Sequence, residues 1–500
     1  MRNMKRNIRL IGYVVGLSSL VVAATAAASA ADSGPVAQAM KFYEMHHYSG
    51  AASVLRTALP TLDPSHQAAG ELALGMIYTK SAALHRELAS AAALAQVDYF
   101  SRLARERGKN VSRAAPLFLG EALLAQNRAR DAAAAFKGLL ARRGIPLRDR
   151  MLAHINLGLC YQKIGQPGNA ARQWNEAKSS DPEIRMALAA SYGRAGMRQA
   201  GGIAESARRA AGGKVSEMMR EDLLSVYANE GEVDKAFALL QHIDLNAPTY
   251  TEVLGKSDTL NFYSPYLLGD LARLDERAAI VYLNKAEQDP TLKGTAEYYL
   301  GKAYVMDGQP QAAARALDDF MAQPQFASQI RDRARVRRAT VDYLLSRRAQ
   351  ALSEWDSMTQ EHPDDVDLLA QIVLACRSVA ADCPKIVTRA AMTADAGQGR
   401  RYAGLDVAVG RYYFDKQNYS KAIWYMEAGR DKGNKNKIEA NDPIMLVDLA
   451  SAYYKTMLYS QNLEIYFGMS SEYPEVRQIQ DAVQGVYSMV QRSAGDVKIF

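Results

Sequence analysis

A 34-residue pattern of small, aromatic and proline residues recurs along this 500-residue chain and constrains its fold more than any other feature. The clearest copy begins at Met151 and has Gly158 at position 8, Ala170 at position 20 and Trp174 at position 24. Further copies begin at Gly294, Glu217, Pro443, Arg113, Ala403, Asp32 and Asp332. Small residues let two helices cross closely, and the large residue fills the space beside the crossing. The pattern therefore predicts stacked helix pairs, because one pair cannot bury its apolar face alone.

The repeated unit resembles a known family. The Met151 copy has the full set Leu157, Gly158, Tyr161, Gly165, Ala170, Trp174, Ala177 and Pro182. These residues resemble the tetratricopeptide repeat at all eight of its signature positions. Residues 421–428 and 279–286 resemble helix B of the related Sel1-like repeat, which recurs in envelope and exopolysaccharide-assembly proteins. The resemblance implies an all-α fold, a right-handed α-α superhelix, that binds partners and is not an enzyme.

Breaks in the pattern divide the chain into segments. Pro248 and Gly255 lie among polar and β-branched residues, which predicts a loop between two arrays of repeats. Near the end, Ile479, Val483 and Val486 form one apolar stripe, which predicts a single helix that caps the array. The predicted division is a signal peptide at 1–30, an N-terminal array at 31–244, a connecting loop at 245–261, a C-terminal array at 262–475 and a capping helix at 476–500.

The first thirty residues predict export. Four basic residues and no acidic residue precede the apolar run 10–24, and the small residues 28–30 follow it. This is the pattern of a cleavable secretory signal, and its apolar run is shorter than the ~20 residues of a spanning helix. An uncleaved inner-membrane anchor is the alternative. Because the first cysteine is Cys160, the pattern is not that of a lipoprotein, and we expect a periplasmic protein.

Charge and motif content exclude several classes of function. Residues 1–30 contribute four of the seven net positive charges, so little charge is left to favour nucleic acid as a partner. Three cysteines are too few for a disulfide-dense scaffold or a cysteine-rich metal module. No nucleophile elbow, phosphate-binding loop or zinc-binding histidine pair is present. We therefore expect no catalytic residue, no cofactor and no metal, and a contact with the membrane that is peripheral at most.

Two small groups of residues are candidate sites. Cys376 and Cys383 are seven residues apart and are expected to form a disulfide in an oxidising compartment, the alternative being two free thiols. Arg331, Arg335 and Arg338 share one face of a helix, where an anionic partner could dock. The alternative for these arginines is a solvated helix face.

The tetratricopeptide resemblance also implies groove residues. Arg411 lies at position 9 of its repeat and Tyr454 at position 12, both of which face the ligand groove in that family. The Lys/Asn clamp that grips a peptide C-terminus is absent from three repeats, at Ile155/Leu159, Glu221/Ser225 and Val447/Ser451. This absence favours an extended or more apolar ligand.

These observations predict an exported, periplasmic scaffold that binds other proteins of cell-envelope assembly or secretion machinery. The alternative is a polysaccharide-binding component of an exopolysaccharide export complex, in which C-terminal Tyr and Trp side chains would stack on sugar rings.

Overall fold

A computed structural model describes residues 34–103, 110–253, 259–434 and 441–493. The predicted signal peptide, residues 1–30, lies outside the described residues. No helix in the described ranges combines the length and the apolar content that a membrane crossing requires.

The first half of the chain is a series of helices. They are α1 (Pro35–Glu44), α2 (Tyr48–Ala58), α3 (Pro64–Leu103), α4 (Asn110–Ala125), α5 (Ala129–Leu140), α6 (Leu147–Lys163), α7 (Pro167–Glu176), α8 (Pro182–Arg194), α9 (Ala200–Ala210), α10 (Glu217–Glu230) and α11 (Val233–Leu240). A short 3-10 turn, Leu59–Thr61, follows α2.

The second half continues in the same way after a short hairpin. Strands β1 (Tyr250–Val253) and β2 (Thr259–Phe262) precede α12 (Leu267–Ala286), α13 (Lys293–Met306), α14 (Pro310–Met321), α15 (Ser328–Leu344), α16 (Arg348–Glu361), α17 (Val366–Ser378), α18 (Pro384–Ala396), α19 (Ala403–Asp415), α20 (Tyr419–Gly433), α21 (Pro443–Lys455), α22 (Tyr459–Met469) and α23 (Val476–Ser493). A second 3-10 turn, Arg400–Tyr402, precedes α19. The predicted all-α class is confirmed.

Contacts within the helix pairs follow the repeat pattern. A Cβ atom added to Gly158, at position 8, would overlap the indole of Trp174, at position 24. The same relation joins Gly120 with Phe136, Gly301 with Leu317 and Gly410 with Met426, sixteen residues apart in every case. The missing side chain is therefore what lets helix A of each pair approach the large residue of helix B.

Left-handed residues end the A helices. Gly165, Gly231 and Gly308 have φ between 75° and 79° at position 15, as the pattern predicts. Non-glycine residues with φ between 50° and 68° lie at the corresponding turns: His46, Asn127, Ser346, Ala380, Gln417 and Met457. Because a left-handed residue stops the helix and reverses the chain, the B helix follows directly.

The helices form two compact units, each built from two stretches of the chain. Unit 1 contains the described residues of 1–81 and 275–452, and unit 2 contains those of 82–274 and 453–500. Both units draw on residues before and after the predicted connecting loop. The predicted division into consecutive arrays, 31–244 and 262–475, stays a prediction about how the repeats are grouped.

The predicted loop 245–261 contains most of an antiparallel hairpin. Tyr250 of β1 lies opposite Phe262 of β2, and Val253 lies opposite Thr259. Aromatic and β-branched residues favour extended backbone, so the composition that indicated a break in the helices also suits two strands. Within unit 2, Gln478 of α23 donates a hydrogen bond to the carbonyl oxygen of Leu245, at 2.6 Å.

Candidate ligand-binding faces

The predicted basic face on α15 is occupied by ion pairs. The Arg335 guanidinium lies 2.7 Å from a carboxylate oxygen of Glu354, 3.0 Å from Glu361 and 3.5 Å from Asp332. Its hydrogen bond lowers the pKa of Glu361, which keeps that carboxylate ionised. Two of the three acidic partners come from α16, the helix paired with α15. An anionic ligand would have to displace them.

Arg338 is paired in the same way. Its guanidinium lies 2.8 Å from Asp318 of α14 and 2.7 Å from Asp342 of α15. Arg331 is half-buried near the start of the same helix. Docking of an anionic partner on Arg331, Arg335 and Arg338 stays a prediction, and the observed contacts favour a structural role for Arg335 and Arg338.

The two predicted groove residues belong to different units. In unit 1, Arg411 is 13% exposed and pairs with Asp448, which lies 3.3 Å from Arg377 as well. In unit 2, Tyr454 is 4% exposed, and its ring packs edge to face against that of Tyr459. Both side chains take part in packing between helices, so their groove role stays a prediction that these contacts do not favour.

The three cysteines are all buried. Cys376, near the end of α17, is joined by a disulfide to Cys383, which immediately precedes α18, with 6.4 Å between the Cα atoms. Cys160 is a free thiol in the core of unit 2. Burial raises the pKa of Cys160 to about 12, so its reactive thiolate form is suppressed.

Six of the eleven tyrosines in residues 402–487 are buried in the repeat core. The following are less than a tenth exposed: Tyr412, Tyr425, Tyr454, Tyr459, Tyr466 and Tyr473. Trp424 and Phe467 are largely exposed, but they belong to different units. Sugar stacking on the C-terminal tyrosines, the basis of the polysaccharide alternative, therefore finds little support.

An open groove of about 810 Å³ lies along α18 in unit 1. It is lined by Lys385, Arg389 and Met392 of α18, by Gly397 and Tyr402 after that helix, and by Pro363 before α17. Met392 is 68% exposed there. Among the described residues, no group of three or more His, Cys, Asp or Glu side chains is arranged to hold a metal ion.

Four basic residues of unit 1 form a group that sequence reasoning missed, which we call the cationic cluster: Lys80, Lys302, Arg333 and Arg337. Lys80 lies on α3, Lys302 on α13, and both arginines on α15, which packs against α13. The Arg337 guanidinium lies 4.0 Å from the ring centre of Tyr298 on α13. Lys302 is at position 9 of the Gly294 repeat, the same position that made Arg411 a groove candidate, so its position in the repeat could have indicated it.

The cationic cluster has few counter-charges. Among the described residues, no carboxylate oxygen lies within 4 Å of any of its four cationic groups. The carboxylates that interact with it at longer range are Asp442, which acts on Lys302 and Lys80, and Asp367, which acts on Arg333. Asp442 also accepts a hydrogen bond from the Ile444 amide at the start of α21, at 2.9 Å. Burial raises the pKa of Asp442, but Lys80 and His46 outweigh that effect and lower it, so Asp442 is ionised.

Burial and mutual repulsion strain the cationic cluster. Burial, followed by Lys80 and Arg337, lowers the pKa of Lys302 well below its ordinary value, and Asp442 offsets only part of the decrease. Burial raises the pKa of the neighbouring Tyr299, while Arg337 and Arg333 oppose the increase. One nitrogen of Arg337, Nη1, is buried and has no hydrogen-bond acceptor in the part of the chain that the structure describes. The cluster can therefore accept negative charge.

Unit 2 has an acidic counterpart, which we call the acidic cluster: Glu121, Glu221 and Asp222 around the Arg194–Asp270 ion pair. Arg194 Nη2 lies 2.7 Å from Asp270, and its guanidinium lies 4.2 Å from the ring centre of Tyr266. Burial raises the pKa of Glu121 to about 7, of Glu221 to about 8 and of Asp222 to about 7. Carboxylates outnumber the arginine, so part of this cluster is protonated near neutral pH.

Solved structures that are similar to this chain share little of its sequence. No family model matches the chain, and no curated protein matches its sequence. The TPR domain of P58(IPK) is 13% identical, with 77% of this chain and 99% of that chain covered and a TM-score of 0.21. Yeast Tom70 is 10% identical, with 92% and 96% covered and a TM-score of 0.34. A monomeric mutant of IFIT1 with Gppp-AAAA is 13% identical, with 81% and 80% covered and a TM-score of 0.23.

The class is defined by the chain itself: Gly158 against Trp174, and the equivalent pairs, make it an all-α repeat protein with tetratricopeptide-like helix pairs.

Proposed function

We propose that this protein is an exported scaffold that binds protein partners of cell-envelope assembly or secretion machinery and catalyses no reaction itself. The observation that carries the proposal is a pair of acidic side chains on helix α10 that no basic side chain of the described ranges neutralises. Glu221 and Asp222 on α10 make no ion pair within 4 Å among the described residues, although neighbouring helices pack around them. Their carboxyl groups, which are partly protonated near neutral pH, are therefore available to bind and orient a partner.

Export is supported by two independent features. The N-terminal pattern of the sequence is that of a secretory signal. The disulfide between Cys376 and Cys383 belongs to a bond type that forms and persists in oxidising compartments such as the periplasm. Together they support a periplasmic location.

To test export, the full chain is expressed with a C-terminal tag in a bacterial host. The N-terminal sequence of the purified protein is determined first. Cleavage after Ala30 would leave Ala31 as the first residue, and recovery from the periplasmic fraction would agree with the proposal. Recovery from the cytoplasm with Met1 in place would contradict export.

The partner is then sought by cross-linking whole cells and purifying the tagged chain from detergent-solubilised envelope. We expect a defined envelope protein, recovered less well with the variant Glu221→Gln/Asp222→Asn. The control is Glu205→Gln, an exposed carboxylate on the B helix α9, and this variant should recover the partner normally. Retention on a polysaccharide column without any protein partner would favour the alternative and overturn the scaffold proposal.

A further inference from the structure

We infer that the cationic cluster of unit 1, Lys80, Lys302, Arg333 and Arg337, is a binding site for a phosphate group. This inference goes beyond the scaffold function and does not depend on it. It rests on four basic residues from three helices that act on one another or on a shared neighbour, and on the absence of a carboxylate within 4 Å of them among the described residues.

The arginines of α15 show that the lack of partners is selective. On this single helix, Arg335 has three carboxylates within 4 Å and Arg338 has two. Arg333 and Arg337, which interact with Tyr299 of α13, have none among the described residues. Arg335 and Arg338 are thus neutralised at close range, whereas Arg333 and Arg337 have no close ion pair in the described part of the chain and Arg333 interacts with Asp367 only at longer range.

Arg337 is also held in place. Its guanidinium packs on the ring of Tyr298 at 4.0 Å, and Nη1 is buried without an acceptor among the described residues. A buried donor without a partner is unfavourable, and an oxyanion bound at Arg337 would remove that cost. Because the stacking fixes the plane of the guanidinium, its remaining donors are oriented before any ligand arrives.

The amount of charge favours phosphate over a single carboxylate. Four basic side chains interact with two carboxylates, Asp442 and Asp367, neither of which lies within 4 Å of them, and one oxygen of Asp442 is already bonded to the Ile444 amide. A carboxylate ligand would add one negative charge and two acceptor oxygens. A phosphate group adds up to two charges and three or more oxygens, which lets an arginine and two lysines bind the same group. Burial and repulsion at Lys302 indicate that this compensation is needed.

The experiment measures thermal stabilisation of the full chain by pyrophosphate and by inorganic phosphate, followed by calorimetric titration. We expect saturable binding that weakens with added salt, since the contacts are ionic. The variant Lys302→Ala/Arg337→Ala should bind pyrophosphate at least about tenfold more weakly. Arg315→Ala, an exposed arginine on α14 with no ion pair among the described residues, should bind as the parent does.

The variant Asp442→Asn tests the same site through an expected increase in affinity. Asparagine can keep the bond to the Ile444 amide and start α21 equally well, but it removes the competing charge. We expect this variant to bind pyrophosphate more tightly, and this result does not depend on whether the double variant folds. Unchanged affinity in both Asp442→Asn and a folded Lys302→Ala/Arg337→Ala would overturn the inference.

Two further experiments distinguish a lipid headgroup from a soluble ligand as the source of the phosphate group. Sedimentation with vesicles of phosphatidylcholine containing phosphatidic acid, lost in the double variant, would support a lipid headgroup as the source. Binding of free pyrophosphate without vesicle binding would support a soluble phosphorylated ligand. A glutamate-rich peptide that binds through Lys302 while neither phosphate probe binds would overturn the phosphate assignment in favour of a protein carboxylate.

Discussion

The two helices of a pair approach each other closely where one of them has a glycine, which has no side chain. At Gly120 and Gly301, an added Cβ would meet the end of a side chain on the facing helix. At Gly410 it would also lie 3.0 Å from the backbone atoms Ala422 O and Met426 N. A side chain can change rotamer, but a helix backbone can move only with its whole element, so Gly410 is the least tolerant of these positions.

We therefore expect Gly410→Ala to lower the free energy of unfolding by about 1–3 kcal/mol, because overpacking outweighs the better helix propensity of alanine. Chemical denaturation measures the change. Gly404→Ala on α19 is the matched control, since no atom lies within 4 Å of its added Cβ, and it should be neutral or stabilising by up to ~1 kcal/mol. Equal stability of the two variants would show that the close approach at Gly410 is not needed.

At the scale of elements, the turn between α17 and α18 carries a covalent link that other turns lack among the described residues. Ala380 has a left-handed φ of 50° in this turn, and Cys376 and Cys383 lie on either side of it. The link restrains the unfolded chain over a short loop.

Loss of this disulfide should lower the free energy of unfolding by about 2–3 kcal/mol, the loop-closure value for so short a loop. A reductant should destabilise the parent protein but not the variant Cys376→Ser/Cys383→Ser, which is already destabilised. Alkylation of the denatured, unreduced chain should label Cys160 alone. Labelling of all three cysteines would contradict the disulfide in the isolated protein.

At the scale of the whole molecule, each unit has its own concentration of charge. The cationic cluster of unit 1 and the acidic cluster of unit 2 each combine burial with too few counter-ions. Burial therefore shifts pKa values in opposite directions, downward for Lys302 and upward for Glu121, Glu221 and Asp222. The free energy of unfolding therefore depends on the protonation of these side chains in both units.

The change of stability with pH at the acidic cluster depends on how many protons Glu221 binds in the folded and in the unfolded state. Burial, together with Asp222 and other acidic neighbours, raises the pKa of Glu221 to about 8, above its value in the unfolded chain. Between that unfolded value and about 8, the folded state holds more protons, so stability falls as pH rises. Glu221→Gln imitates the protonated form, and we expect its melting temperature to exceed that of the parent by a margin that grows between about pH 5 and pH 9.

Burial lowers the pKa of Lys302, so its contribution to stability changes with pH in the opposite direction. Lys302 is present in both variant and parent, so the difference between their melting temperatures removes its contribution. Glu205→Gln, on the exposed side of α9, should show the same difference from the parent at both pH values. A margin for Glu221→Gln that is constant with pH would show that Glu221 does not have a raised pKa.

The amino-acid sequence by itself determined the helix pairs. Gly158 and Trp174 are sixteen residues apart, and one hairpin brings them together, so a local pattern is sufficient to predict their contact. The same holds for Gly165, because a left-handed turn needs only its own residue. The hairpin of β1 and β2 was missed because β-branched residues beside Pro248 and Gly255 are typical of both a loop and short strands.

The tertiary structure alone decided which charges are neutralised. Arg335 and Arg338 looked like a free basic face because their acidic partners lie on α14 and α16, which the periodicity of α15 cannot show. Lys80 and Lys302 are brought into one unit from stretches far apart in the chain. Contacts within a hairpin depend on local spacing, which one sequence displays, whereas charge compensation depends on neighbours that only the packing of distant helices supplies.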